Sequence, residues 1–303
     1  MSFLSSWWHH LAPVWLRPIG GRGEFGRTAM YVAAGRGVAD YAMPHWSDGL
    51  ERRLAQMAAT GIVLPRVLDG TRLAVWCASR GSVSIPYDVC PRLDLSAGWD
   101  EVAARRSSRT WSSLRRKRRQ LEKAGEVRFL HITEPEQLRD WLPKAFSLYR
   151  ARASRVRRGL LWTTARGQAF LRAWMTRLAA EGSLDLAFLT VGGAPAAFTF
   201  GIRDADTYYL YGLAFDPGSK LSRWSPGEHL LIHLLEQASG RGIRTFDFLV
   251  GDEPYKRAWA DHFPLVRTHI VAPTRLQRGL LSLWPHLRQY LRSRALGNAK
   301  TAK

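Results

Sequence analysis

The chain has 303 residues, of which 46% are hydrophobic, and its formal net charge is +20. That hydrophobic fraction is enough for a sizeable core, and the lack of any apolar run of 18 residues argues against a membrane-spanning helix. The two cysteines, Cys77 and Cys90, exclude the disulfide framework of small secreted proteins.

The first 18 residues carry no basic residue before their apolar stretch, so we predict no secretory signal and expect a cytoplasmic protein. The excess positive charge comes mostly from arginine. It is explained either by a GC-rich genome or by an anionic partner such as phosphate, nucleic acid or a lipid surface. Both explanations stay open at this stage.

Residues 1–90 predict a small, reduced N-terminal lobe with short elements. The turn-rich sequence indicates one helix at 47–59 and four strands, at 28–34, 62–68, 72–77 and 82–87.

Residues 91–272 predict a second domain with a clearer pattern. Helices are expected at 99–124, 134–153, 164–181, 226–239 and 253–260, and strands at 126–132, 184–191, 194–203, 207–214, 244–250 and 265–271. Only short turns separate the three strands between 184 and 214, so adjacent antiparallel pairing is expected. A right-handed crossover through the helix at 226–239 would place strand 244–250 parallel to strand 207–214.

This order predicts an α/β (α+β) fold with a mixed, largely antiparallel sheet flanked by helices. Residues 273–303 form a basic tail with an apolar stripe between 277 and 294, which predicts an amphipathic helix. Such a helix packs on the body of the protein or lies on an anionic membrane as a peripheral contact.

Three segments carry a family resemblance: Pro91-Arg92-Leu93-Asp94-Leu95, Arg223-Trp224-Ser225-Pro226-Gly227, and the stretch from Phe246 to Lys256, FDFLVGDEPYK. Together with the element order they resemble the GNAT acyltransferases. Within these, they resemble the CelD-like branch associated with cellulose and exopolysaccharide biosynthesis, which is related to the FemABX transferases. The resemblance covers about residues 91–272.

The resemblance implies an N-acyltransferase with acetyl-CoA or another acyl-CoA as co-substrate. The acceptor would be an amine or hydroxyl of a sugar, a polysaccharide precursor or an amino compound, and transfer would be direct. Two alternatives remain. One is a FemABX-like aminoacyl transferase that uses charged tRNA. The other is a non-catalytic binding protein on the same fold, because Pro226 stands where the family's phosphate loop has its first glycine.

The loop at 216–227 is the candidate phosphate site. Ser225, Pro226 and Glu228 read structurally as a helix start with a capping box. The same helix start also offers free N–H groups to an anion, with Gly227 allowing close approach and Arg223 or Lys220 adding charge. In the family, the pantetheine arm lies beside the preceding strand, so the backbone near Leu213 and Ala214 would bind the thioester. Gly212 is mild evidence for close backbone approach there.

The segment 247–256 is the candidate catalytic cluster. Transfer to an amine needs a base for the amine and an acid for the leaving thiolate. Asp252 or Glu253 is the candidate base. Tyr255 matches the location of the family's tyrosine acid, Asp247 lies in the strand facing the cleft, and Lys256 completes the cluster. An ordinary turn and helix start explain the same residues.

The helix at 105–123 is dense in arginine, which favours contact with phosphate, whether of tRNA, a nucleotide sugar or lipid. A solvated charged face is the simpler explanation. His229 and His233 lie four apart on one helix, but no further ligand follows at suitable spacing, so no metal is expected.

Overall fold

The computed structural model describes residues 16–19, 30–33, 47–59, 61–153, 160–272 and 274. The chain divides into two compact units, one of residues 1–90 with 264–303 and one of residues 91–263. Among the described helices, none is both long and apolar enough to cross a membrane. The tail helix predicted at 277–294 lies outside the described residues.

The first unit is built on a five-stranded sheet with strand order β1-β2-β3-β11-β4. Its described elements are β1 (Leu16–Ile19), β2 (Met30–Ala33), α1 (Asp48–Ala58), β3 (Ile62–Leu68), α2 (Arg72–Ser79), β4 (Val83–Val89) and β11 (Leu265–Val271). Strand β11 pairs antiparallel with both β3 and β4. The residues of β11, predicted to close the second domain, therefore belong to the first unit.

One predicted strand of this unit, at 72–77, is wrong, because these residues form helix α2. Its apolar residues suit a strand as well as a buried helix, so the pattern alone was ambiguous. The local cap decides between the two: the Thr71 side chain accepts a hydrogen bond from the Ala74 N–H at 3.3 Å.

The second unit is built on a six-stranded sheet with order β5-β10-β9-β8-β7-β6. Its strands are β5 (Arg92–Asp94), β6 (Val127–Ile132), β7 (Leu184–Val191), β8 (Ala194–Asp204), β9 (Thr207–Phe215) and β10 (Thr245–Asp247). Its helices are α3 (Trp99–Ala104), α4 (Ser108–Ala124), α5 (Pro135–Ala153), α6 (Leu160–Thr163), α7 (Ala165–Ala180), α8 (Pro226–Gly240) and α9 (Pro254–Arg257).

The pairing in this sheet confirms the predicted arrangement. Strands β7, β8 and β9 form an antiparallel meander, β6 adds to β7 antiparallel, and β10 lies parallel to β9 after the crossover through α8. Some details differ from the prediction, and the helix expected at 253–260 covers only Pro254–Arg257. The helix expected at 99–124 is two helices, α3 and α4, and β10 covers only three of the seven residues expected at 244–250.

Both faces of this sheet are covered, because successive residues of a strand point to opposite sides. On one face, leucines of α8 pack against Ala187, Leu189, Leu210 and Leu213. On the other, Trp162 packs against Phe198 and Phe200. The result is a sheet held between helices, which is the mixed α+β architecture predicted for this part of the chain.

Candidate functional site

Strands β9 and β10 pair over only three residues and then part. The register runs from Thr207 opposite Thr245 to Tyr209 opposite Asp247, where β10 ends. Strand β9 continues to Phe215, still paired with β8. Among the described residues, no strand pairs with the other side of β9 beyond Tyr209. The backbone of residues 210–215 is therefore an edge within the sheet, at the carboxyl ends of two parallel strands.

The chain leaves β9 at this point because of contacts made by Asp247. This side chain is fully buried, and its carboxylate accepts hydrogen bonds from Arg92 Nε at 2.8 Å and from the Leu249 N–H at 2.7 Å. The next amide, of Phe248, donates to the Pro91 carbonyl at 3.0 Å. Leu249 itself has a φ of 59°, in the left-handed region. These bonds direct the chain toward β5 and away from β9.

Lys256 braces the loop that follows. Its buried ammonium donates to the Val250 carbonyl at 2.9 Å and lies 2.9 Å from the carboxylate of Glu253. Gly251, with a φ of 129°, covers this pair, since a Cβ there would lie 2.5 Å from Glu253 Oε2. Lys256, like Asp247, therefore holds the shape of the loop.

The other acid–base candidates lie on the same loop and on the short helix that follows it. Asp252 pairs with Arg257, and this guanidinium, through its hydrogen bonds, lowers the pKa of the Asp252 carboxyl. Tyr255 is half-buried against the core of the second unit. The structure thus brings Asp252, Glu253 and Tyr255 onto one loop and short helix beyond the end of β10.

At the start of α8, the predicted capping box does not form. Ser225 has left-handed backbone angles, φ 53° and ψ 54°, and its side chain makes no capping bond. Instead, Lys117 of α4 reaches both polar side chains of this turn: its ammonium lies 3.0 Å from Ser225 Oγ and 3.4 Å from Glu228 Oε2. A cation from the basic helix therefore stands at the amino terminus of α8.

The glycines near this turn approach side chains of the protein itself. A Cβ on Gly227 would lie 3.2 Å from both Leu213 Cδ2 and Phe215 Cδ1, so its Cα packs against β9. Gly212 faces the ring of Trp162: a Cβ added to this glycine would lie 3.1 Å from a ring carbon of the indole. The close approach expected at Gly212 is thus made by an indole of helix α6.

Arg152 is a residue of this site that the sequence did not reveal. It lies in the last turn of α5, and its guanidinium donates to the Leu213 carbonyl, in the part of β9 beyond the end of β10. Its position is supported by Tyr149, one turn earlier, whose ring stacks on Trp162 at 4.8 Å. The cofactor-site candidates Leu213 and Ala214 therefore have a cation beside them.

Helix α4 presents much of its charge to solvent. Two of its cations are paired, Lys117 with Glu228 and Arg118 with Glu122. Among the described residues, four exposed arginines of this helix have no carboxylate partner: Arg109, Arg115, Arg116 and Arg119. The candidate cations of the loop after β9, Lys220 and Arg223, are also exposed, and the Arg223 guanidinium lies 4.8 Å from the Trp224 ring. The short turn Ser222–Trp224 packs against α4.

His229 and His233 do not share a ligand. His233 Nε2 lies 3.1 Å from His131 Nε2, and His131 Nδ1 lies 2.8 Å from the buried carboxylate of Asp185. Burial, together with His131, lowers the pKa of His233 to about 4. No cluster in the described part of the chain could hold a metal ion. This network ties α8 to β6 and β7.

The comparisons with known proteins agree with this geometry. Residues 107–257 match the model of a family described as an acetyltransferase (GNAT) domain. FemX has a similar solved structure, with 11% identity, coverage of 90% of this chain and 92% of that chain, and a TM-score of 0.60. The C-terminal domain (DUF2156) of a putative lysylphosphatidylglycerol synthetase from Agrobacterium fabrum is 12% identical, covers 88% of this chain and 87% of its own, and has a TM-score of 0.56.

A third structure, L-PGS from Bacillus licheniformis, is 12% identical, with 75% and 72% of the two chains covered and a TM-score of 0.50. At these identities the likeness concerns the fold alone. No curated protein sequence matches the chain at a significant level. The segment from residue 107 to residue 257 therefore matches a GNAT acetyltransferase domain, and it contains the parted strands, helix α8 and the loop after β10.

Proposed function

We propose that this protein is an N-acyltransferase that moves an acyl group, most simply acetyl, from coenzyme A directly to an acceptor in the gap beside β9. The observation that carries the proposal is the parting of β9 and β10 beyond Tyr209, next to the amino terminus of α8: among the described residues, no further strand pairs with that side of β9. The acceptor is an amine or hydroxyl of a sugar, a polysaccharide precursor or an amino compound. This acceptor class and the CelD-like branch rest on the sequence resemblance alone.

The edge of β9 suits a donor with an amide-containing arm. A strand without a partner offers backbone N–H and C=O groups, which an extended ligand satisfies as a further strand would. A backbone N–H near Leu213 or Ala214 would then polarise the thioester carbonyl as negative charge develops on its oxygen. Because Arg152 already donates to the Leu213 carbonyl, the arm has to use other carbonyl groups of this edge.

The phosphates of the donor would lie at the start of α8. Pro226 has no N–H, so the helix offers one donor fewer than a typical amino terminus. Lys117 offsets this loss, because its ammonium lies at Ser225 and also balances the charge of Glu228. Arg223 and Lys220 add charge at the solvent side of the same loop. In this proposal Gly227 contributes its N–H, while its Cα packs on β9.

Proton transfer is assigned to the loop after β10. Tyr255 is the proposed acid for the leaving thiolate and Glu253 the proposed base for the acceptor. Asp252 is the weaker choice for the base, because Arg257 lowers the pKa of its carboxyl and a less basic group takes a proton less readily. Asp247 and Lys256 support the mechanism by holding this loop in place.

A second donor, aminoacyl-tRNA, is favoured by one specific observation. The four arginines of α4 that lack a carboxylate partner among the described residues form a basic surface on a helix that packs against the turn before α8, which suits a long polyanion. The fold shared with FemX over 90% of the chain is compatible with this alternative. The two donors would deliver their acyl groups to the same edge of β9.

The test measures binding of coenzyme A and acetyl-CoA to the full chain. Titration calorimetry gives the affinity, and the rise in melting temperature gives the stabilisation by each ligand. A ligand at 100 times its Kd stabilises the folded state by about 2.7 kcal/mol. We expect Lys117→Gln to weaken binding about 10-fold, as a lost charge-assisted contact does. Lys123→Gln, an exposed change at the far end of the same helix, is the control and should leave binding unchanged.

The dependence of binding on salt concentration distinguishes the two donors. Binding of charged tRNA should fall steeply as salt rises, because each neutralised phosphate releases a counterion. Stabilisation by coenzyme A that is reduced in the Lys117→Gln variant supports the first donor. Binding of charged tRNA without any effect of coenzyme A supports the second. Failure of both donors to bind would contradict the transferase proposal.

A further inference from the structure

Arg152 stands out among the charged side chains of the second unit because it enters the site without a carboxylate partner. The acidic candidates around the gap each have a cation of their own: Asp247 with Arg92, Glu228 with Lys117, Asp252 with Arg257, and Glu253 with Lys256. Within the described ranges, no carboxylate lies in ion-pair distance of Arg152. Its positive charge is therefore the one in the gap that remains unbalanced in that part of the chain.

The guanidinium is held against β9 although its charge is unbalanced among the described residues. It is half-buried, and one of its N–H groups donates to the Leu213 carbonyl. A guanidinium has five N–H donors in a fixed planar fork, and its charge persists throughout the physiological pH range. The bond to Leu213 uses one donor, so the remaining donors point to a second partner that the protein does not supply from its described residues.

The surroundings of Arg152 keep it in this position. Tyr149, on the same face of α5, stacks on the buried ring of Trp162, and Trp162 in turn covers Gly212, the residue before Leu213. Helix α5 is therefore anchored to β9 by aromatic packing directly beside the guanidinium. Such support is what a binding residue requires, because an unanchored arginine would lose more rotamer entropy on meeting its ligand.

We propose that Arg152 binds an anionic oxygen group, a carboxylate or a phosphate, of the acyl acceptor. This proposal rests on the proposed function and narrows it: the acceptor is an amine that also carries a negative charge. Half-buried cations cost free energy unless they are paired, and planar two-oxygen groups match the guanidinium fork. Arg152 is thus a specificity-determining residue, and the acyl-transfer step itself does not require it.

Assays with matched pairs of acceptors test whether the acceptor must carry a negative charge. Release of coenzyme A from acetyl-CoA is measured with glycine against methylamine, and with phosphoethanolamine against ethanolamine. We expect a preference for one charged member of these pairs, which tells carboxylate from phosphate. Arg152→Gln should raise the KM of that acceptor about 10- to 100-fold, as expected for a lost charge-assisted contact, with little change for the uncharged member. Arg150→Gln, an exposed arginine two residues earlier, is the control.

A binding experiment separates failure of this inference from failure of the proposed function. Inorganic phosphate and acetate are titrated into wild type, the Arg152→Gln and Arg152→Lys variants and the control, and the melting temperature is followed. One of the two ions should stabilise wild type and the control, have less effect on the lysine variant, and less still on the glutamine variant. Because lysine keeps the charge but lacks the fork, the comparison remains readable even if the glutamine variant folds poorly.

Two results would overturn the proposal. One is equal stabilisation of all four proteins, or of none, by these ions. The other is a loss in kcat of similar size for charged and uncharged acceptors, which would assign Arg152 to the transition state instead. If acetyl-CoA gives no turnover while one ion still stabilises wild type more than the Arg152 variants, the choice of donor is wrong and the anion site at Arg152 is retained.

Discussion

Replacement of Asp247 distinguishes a structural from a catalytic role for the residue at the end of β10. In Asp247→Ala, the Arg92 guanidinium loses a buried partner 2.8 Å away, and the Leu249 N–H loses its acceptor at 2.7 Å. Breaking a buried pair by removing one partner typically costs about 3–5 kcal/mol. For a unit of this size, 3 kcal/mol corresponds to a fall in melting temperature of about 6–12 °C.

Two comparisons sharpen this experiment. Asp247→Asn keeps an acceptor for the Leu249 N–H and should cost less, about 1–3 kcal/mol. Glu126→Ala removes an exposed ion pair with Arg128 and should leave the melting temperature nearly unchanged. Melting followed by circular dichroism ranks the three variants. A stability of Asp247→Ala within about 1 kcal/mol of wild type, together with lost turnover, would refute the structural role and return Asp247 to the catalytic group.

Three further changes test other parts of the molecule. Burial lowers the pKa of His233 to about 4, whereas the pKa of this side chain in the unfolded chain is near 6.5. The stability that depends on neutral His233 should therefore be complete above pH 6.5 and fall as the pH drops toward 4. The urea midpoint should fall less between pH 7 and pH 5 in His233→Phe than in wild type. Tyr255→Phe should lower kcat with little change in KM for the donor, and an unchanged kcat would remove this hydroxyl from the mechanism. A Cβ on Gly201 would overlap the buried Tyr208 hydroxyl, so Gly201→Ala should lower the free energy of unfolding by about 3 kcal/mol, measured by thermal unfolding. Gly240 has open space around it, so Gly240→Ala should change this free energy little.

The order of elements was predictable because local signals set it. Glycine and aspartate turns separate β7, β8 and β9, and short turns leave adjacent antiparallel strands little choice of partner. Strands β3, β7 and β11 have the predicted bounds. The crossover through α8 then follows from its handedness, which placed β10 parallel to β9.

Contacts between distant residues were not predictable in the same way. Lys117 and Ser225 are 108 residues apart, and Arg152 and Leu213 are 61 apart, and no spacing in the sequence joins either pair. The early end of β10 has the same origin, since it depends on Arg92, 155 residues before Asp247. Candidate site residues on one loop could therefore be found from the sequence, whereas the cations that complete the site required the fold.

Amide hydrogen exchange along β9, with and without acetyl-CoA, tests the central claim most directly. If the donor lies along the edge left by β10, the amides of residues 210–215 should exchange more slowly when acetyl-CoA is bound, while those of the paired strands β7 and β8 change little. Unchanged exchange at 210–215 under conditions where acetyl-CoA is bound would contradict the account, because the ligand would then lie elsewhere.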